Sequence, residues 1–297
     1  MTQLHDAVAP GMKGASAGAE EHEFGRASVA KSGRHMARSS WLGRLSRRLG
    51  FWHYFDYIEK YVPSGARGLE FGSGGGNHWL ATNYRMCGLE YGFTSARASA
   101  QVFGRSVNAD ATSVPFADKS FDFVCSCFVL EHLPDDAAAK MFREMRRVLR
   151  PNGRFIALMD LHCDRPSLRR LRERHPIAYR ESMIDYPGHY GLRSSSQVQA
   201  IAEASGFVIK AWRLESRVPI SDLGTYACLC HAPSAPRHLR ILGRTALWLA
   251  GRSPWGSLYQ FGLTALDDLC GAMFPRTWAY RLLFVLERVD ERGEPQP

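Results

Sequence analysis

The chain has 297 residues, 45% of them hydrophobic, and 38 Lys and Arg against 29 Asp and Glu give a net charge of +9. That length holds one large α/β domain with additions, or two small domains, and the glycine and proline content is too low for a chain disordered throughout. Seven scattered cysteines without framework spacing exclude a disulfide scaffold. The N-terminus has no apolar signal core and no run reaches about 18 apolar residues, so a soluble, cytoplasmic protein is expected. The positive charge favours anionic partners without choosing among phosphorylated substrates, nucleic acid and acidic membranes.

In chain order, residues 1–33 are Ala-, Gly-, Ser- and His-rich without a period and read as a disordered leader. Residues 34–64 turn basic and aromatic (Arg44, Arg47 and Arg48, then Phe51, Trp52, Tyr54, Phe55 and Tyr57) and read as N-terminal cap helices. Such a segment either covers a site or packs its aromatics on a sheet with its arginines solvated. An apolar lead-in then ends in Glu70-Phe71-Gly72-Ser73-Gly74-Gly75-Gly76. Glycines at alternate positions let a backbone turn sharply at a strand end and approach a ligand without Cβ atoms in the way. The helix expected next would offer its free N–H groups to polar parts of that ligand. Asn77 stands where a phosphate-binding fingerprint needs glycine, and Glu70 would repel a pyrophosphate but suits a ligand carrying an ammonium and a sulfonium.

Met86 to Tyr91 reads as a second strand, with Glu90 about 20 residues beyond the loop, where a carboxylate can accept both hydroxyls of a ribose. Val107-Asn108-Ala109-Asp110-Ala111, Val114-Pro115-Phe116 and Ser120-Phe121-Asp122-Phe123 follow, then Leu130-Glu131-His132-Leu133-Pro134. A helix is expected from an N-cap at Asp135 to Leu149, stopped by Pro151-Asn152-Gly153, and a fifth strand from Phe155 to Leu161. Residues 163–193 read as a lid segment outside the core. It is either a recognition element for an anionic or aromatic substrate or a solvated basic helix. A helix capped by Ser194 and a sixth strand, Phe207 to Leu214, come next.

Residues 232–276 read as a helical insertion in which Arg237, Arg240 and Arg244 alternate with apolar residues. It rests on a membrane surface, walls a pocket for a greasy acceptor, or packs on the sheet. Residues 277–290 are the expected last strand and 291–297 a tail. Cys228-x-Cys230-His231 and Cys125-x-Cys127 are read as strand alternation, so no metal site is expected.

The motif Glu70-x-Gly72-x-Gly74-x-Gly76 resembles motif I of the class I S-adenosylmethionine-dependent methyltransferases, Asp/Glu-x-Gly-x-Gly-x-Gly. Asn108-Ala109-Asp110-Ala111 through Phe121-Asp122 resembles that family's third and fourth strands. Leu130-Glu131-His132-Leu133 and Leu149-Arg150-Pro151-Asn152-Gly153-Arg154-Phe155 resemble segments of its small-molecule, type 11 branch. Together they cover residues 65–215 of an expected core at 65–231. The resemblance implies an α/β, Rossmann-like doubly wound, seven-stranded and mostly parallel sheet, with the helical insertion before an antiparallel last strand. It implies S-adenosyl-L-methionine as cofactor. Glu70, Gly72, Ser73, Gly74 and Gly76 would hold the methionine part, Glu90 the ribose, and Asp110 with Ala111 the adenine, with Tyr91 and Phe128 lining the site.

Methyl transfer from a sulfonium needs alignment and exclusion of water, and an oxygen or protonated nitrogen acceptor also needs a base. His132 and His189 are the expected catalytic residues, with His162 and Tyr190 behind them. The Asn/Asp-Pro-Pro-Tyr/Phe tetrapeptide of exocyclic-amine nucleic-acid methylases is replaced by Cys125-Ser126-Cys127-Phe128. A small-molecule or lipid-like acceptor, methylated on oxygen or nitrogen, is therefore expected ahead of an RNA acceptor or a non-catalytic scaffold.

Overall fold

The computed structural model describes residues 51–252 and 255–289. Arg44, Arg47 and Arg48, the expected leader and the expected tail lie outside them. Seven strands form one sheet: β1 Arg67–Phe71, β2 Arg85–Glu90, β3 Ser106–Asn108, β4 Phe121–Cys127, β5 Leu149–Asp160, β6 Phe207–Glu215 and β7 Arg281–Arg288. Their order is β3-β2-β1-β4-β5-β7-β6. Neighbours from β3 to β5 pair in parallel, and β7 runs antiparallel between β5 and β6. The chain thus winds outward both ways from β1 and β4, and their carboxyl ends border the crevice where open α/β sheets bind ligands.

The strand sequences account for the two-sided sheet. Along β5, Phe155, Ala157 and Met159 enter the core of one face, while Ile156 and Leu158 enter the core of the other. Leu282 to Leu286 of β7 is buried throughout, as expected for a strand covered on both faces. On the first face lies α4, Asp135–Val148, whose Ala138, Met141, Phe142, Met145 and Val148 form one stripe at helical spacing. On the second lies α1, Trp52–Tyr61, with Tyr54, Phe55 and Ile58 buried.

Helices α2 (His78–Asn83), α3 (Phe93–Phe103), α5 (Pro166–Arg174), α6 (Pro176–Tyr179) and α7 (Ser195–Ala204) complete the core connections. Ser194 and Gln197 cap α7 reciprocally, as the serine run implied. Between β6 and β7 come α8 (Leu223–Cys228), α9 (Arg237–Ala250) and α10 (Trp255–Cys270).

Local structure departs from the sequence reading in four places. Asp135 is not the cap of α4. Pro134 takes that position with extended backbone, and the Asp135 carboxylate is held by Arg193 at 2.8 Å. Strand β5 begins at Leu149 because Pro151-Asn152-Gly153 forms an excursion within it, where the pairing with β4 slips between Phe121 and Phe123. Cys228, Cys230 and His231 are helical, so strand alternation does not explain their spacing. The lid segment also has a core of its own: Leu168, Leu171 and Met183 are buried, and Arg165 donates to Ser221 Oγ at 2.9 Å, Ile220 O at 3.2 Å and Ser216 O.

Candidate active site

The site forms where β1, β2 and β4 end. Glu70, one residue before the last of β1, is buried, and its Oε2 accepts no hydrogen bond. Burial, then the charge of Glu90, pushes its carboxyl well above the usual range. After Phe71 the chain reverses in the glycine loop. Gly72 has φ +65, and a Cβ there would lie 2.3 Å from Val129 Cγ2, so this position admits only glycine. A side chain at Gly76 (φ +83) would meet Val102 at 2.8 Å. The loop is thereby pressed onto the segment after β4 and onto α3.

Glu90 ends β2 beside this loop. Its Oε1 accepts from Ser73 Oγ at 2.8 Å and from the Gly74 amide. Burial raises its pKa, against these two bonds. The loop and the second-strand carboxylate are therefore already joined. Asn77, unlike glycine, caps α2 itself, accepting from Trp79 N at 3.0 Å and Leu80 N at 3.3 Å. That takes up N–H groups that the sequence pattern alone would offer to a ligand.

The remaining expected residues follow the ends of β2, β3, β4 and β5 or lie in the lid segment. Asp110 accepts from Thr112 N at 2.7 Å in the turn after β3, and Ala111 packs on the core. Tyr91 is 62% exposed. Phe128 has φ +58 and lies edge-on to Phe51 at 5.4 Å, with the Arg281 guanidinium 5.3 Å from its ring. His132 lies on the single turn Leu130–His132 after β4, and its ring is 5.1 Å from that of His189 in the lid. His162 has Arg172 3.2 Å from its Nε2, and Tyr190 is largely exposed.

Sequence reasoning missed what holds the lid over the strands. Gly191 N–H donates to Glu131 O at 2.8 Å, and a Cβ on Gly191 would lie 2.0 Å from Leu133 O. Buried Arg193 donates to Leu130 O at 3.1 Å, Gly191 O at 2.8 Å and Leu133 O at 2.6 Å. It also missed Asp160, the last residue of β5, which faces Arg281 at 3.5 Å, while Arg281 also binds Asp222 at 3.2 Å. Burial pushes the Asp160 carboxyl up to about 7, against the pull of Arg281. A charged residue closing an apolar strand at the ligand-binding edge is the signal that would have found it.

Residues 69–157 match the methyltransferase domain family. A protein of Mycobacterium sp. (strain KMS), named only as an uncharacterized methyltransferase, is 40% identical over 99 residues, 31% of this chain and 38% of that protein. A demethylmenaquinone methyltransferase of Roseiflexus sp. (strain RS-1) is 32% identical over 127 residues, 39% of this chain and 47% of that one. The chain thus spans less than half the length of these curated relatives. A solved structure described as a putative methyltransferase of Bacillus halodurans superposes with a TM-score of 0.52 at 12% identity, over 80% of this chain and 99% of that one. At that identity the likeness is one of fold alone.

Proposed function

We propose that this chain, which belongs to the class I S-adenosylmethionine-dependent methyltransferases, transfers a methyl group to an oxygen or nitrogen of a small-molecule or lipid-like acceptor. The observation that carries the reading is Glu70: a buried carboxylate with an oxygen that accepts no hydrogen bond, beside Glu90, at the end of β1 before a loop with no room for a side chain at Gly72 or Gly76. Two carboxylates so placed are costly unless a cation meets them, and an amino-acid ammonium fits that need. Glu70 with Gly72, Ser73, Gly74 and Gly76 would hold the methionine part, Glu90 the ribose hydroxyls, and Asp110 and Ala111 the adenine, with Tyr91 and Phe128 at the edges. Bound there, S-adenosylmethionine supplies a methyl group on an activated sulfonium carbon. The chain's residues orient the acceptor and exclude water, and His132 or His189 takes the acceptor's proton.

A cavity of about 250 Å³ supports the lipid-like acceptor. Leu168, Leu171, Met183, Leu229, Leu239 and Leu242 line it between the lid and α9, and Arg170, Arg174 and His238 also contribute to its wall. Helix α9 buries the small residues Gly243 and Ala246, and Ile241 and Trp248 on α9 and Trp255 and Leu258 on α10 stay exposed. Peripheral contact of 237–266 with an anionic membrane fits this face, and among the described residues no helix is long and apolar enough to cross one.

A second reading places the methyl group on a ring carbon of a quinone-like acceptor, as the name of the Roseiflexus relative implies for that protein. Calorimetric titration with S-adenosylmethionine and S-adenosylhomocysteine tests the cofactor site. Binding near micromolar, lost in Glu70→Gln and weakened in Glu90→Gln, is expected; well-folded protein that binds neither ligand refutes the reading. Label from methyl-tritiated cofactor, offered with amphiphilic phenols, amines and quinols, then reports the acceptor. Fragmentation of the product separates oxygen or nitrogen from carbon methylation.

A further inference from the structure

Glu131, His132 and His189 each bring a ligand atom within 4.8 Å of the others. The meeting is built by two segments 56 residues apart. His132 Nδ1 donates to Gly188 O at 2.9 Å, and the Gly191 amide donates to Glu131 O at 2.8 Å. The first bond fixes the tautomer and leaves Nε2 as the nitrogen with the lone pair. A backbone carbonyl orients metal-bound histidines in the same way.

Glu131 is the second, independent observation. It is 0% exposed, and neither carboxylate oxygen accepts a hydrogen bond. The Glu131 and Asp160 amides act on it from nearby but outside hydrogen-bond geometry, and the strongest charge beside it is the like charge of Asp160. Arg281, the cation that acts on it, is bound to Asp160 and Asp222. A carboxylate placed this way costs several kcal/mol if ionised without a cation of its own.

We propose that Glu131, His132 and His189 form a binding site for a divalent first-row transition ion, with open positions toward the acceptor side. Two imidazoles and one carboxylate are the donor set of three-ligand zinc sites and of related iron and manganese centres. Metal–ligand distances of about 2.0–2.2 Å bring ligand atoms to roughly 3.4 Å from one another, so each side chain moves by about an ångström or less. A filled site commits the lone pairs of both histidines, and their work shifts from accepting a proton to holding the ion. The inference concerns the same histidine pair as the methyl-transfer reading, so its test reads metal content and not turnover.

The experiment uses the full chain without an affinity tag, stripped by a chelator and titrated with Zn²⁺ by calorimetry, with metal content measured by emission spectrometry after gel filtration. One equivalent per chain is expected, bound at least tenfold more weakly in Glu131→Gln and in His189→Ala. The Cys228→Ser/Cys230→Ser double variant should keep its equivalent. A folded wild-type chain that retains no zinc overturns the site, and so does a Glu131→Gln/His132→Ala/His189→Ala variant that binds like wild type. If the variants do not fold, Co²⁺ on the wild-type chain decides: a nitrogen–oxygen ligand-field spectrum supports the site, and a thiolate charge-transfer band or no coloured complex overturns it. S-adenosylhomocysteine binding on the same samples separates the readings. Cofactor bound without zinc sinks only the metal site, and zinc bound without cofactor supports the metal site and sinks only the methyl-transfer reading.

Discussion

The half of the molecule built on β1 to β4 and the half formed by the lid and the α8–α10 insertion are made differently. In the first, local sequence and tertiary position coincide: glycines sit where the loop must press on Val129 and Val102, and carboxylates sit at strand ends. In the second, position comes from side chains reaching across long separations. Arg193 ties the lid to the turn after β4, and Arg281 gathers Asp160 and Asp222. The first half is specified by backbone geometry, the second by buried polar contacts and small-residue packing.

Stability variants sharpen that contrast. The largest loss is expected at Phe142→Ala, which empties the core against Phe155, Phe207 and Phe284 and should cost about 3–5 kcal/mol in urea unfolding. A loss under about 1 kcal/mol would mean that α4 does not carry this face. Arg193→Ala should cost about 3 kcal/mol, because three carbonyls and Asp135 lose their donor. Amide hydrogen exchange should rise selectively across 176–191. Lysine should not restore protection, since it lacks the planar fork.

Smaller is the pH effect of Asp160. Its folded pKa of about 7 lies above the ordinary 3.8. The proton it binds therefore stabilises the fold fully below about pH 4, and that contribution is lost as pH rises through about 7. Asp160→Asn should flatten the fall in stability over this window. An unchanged profile would show that Asp160 is ionised throughout. Smallest are Trp248→Ser and Trp255→Ser on the exposed insertion face, each within about 0.5 kcal/mol of wild type. Both should nonetheless weaken sedimentation with anionic vesicles, and equal sedimentation would leave this face without a membrane role.

Much of this was legible in one dimension because it is local. Alternating glycines, an acidic residue at a strand end, and the stripe from Ala138 to Val148 each follow from the backbone geometry of a few consecutive residues. The helical form of Cys228 to His231 was not legible, since an alternating pair of cysteines fits a strand and a short helix alike, and packing decided. Nor was the role of Asp135, which looks like a cap by position yet serves as a partner for Arg193, 58 residues away.

By itself the sequence determined the sheet, its two apolar faces, the glycine loop and the carboxylates near the ends of β1 and β2, because strand period and turn chemistry act over a few residues. Only the tertiary structure decided that Glu131, His132 and His189 share one place and that Arg281 stands between Asp160 and Asp222. It alone also showed that the insertion leaves Ile241, Trp248, Trp255 and Leu258 exposed. The physical reason is that burial and charge pairing depend on which distant segments meet, and no local pattern encodes that meeting.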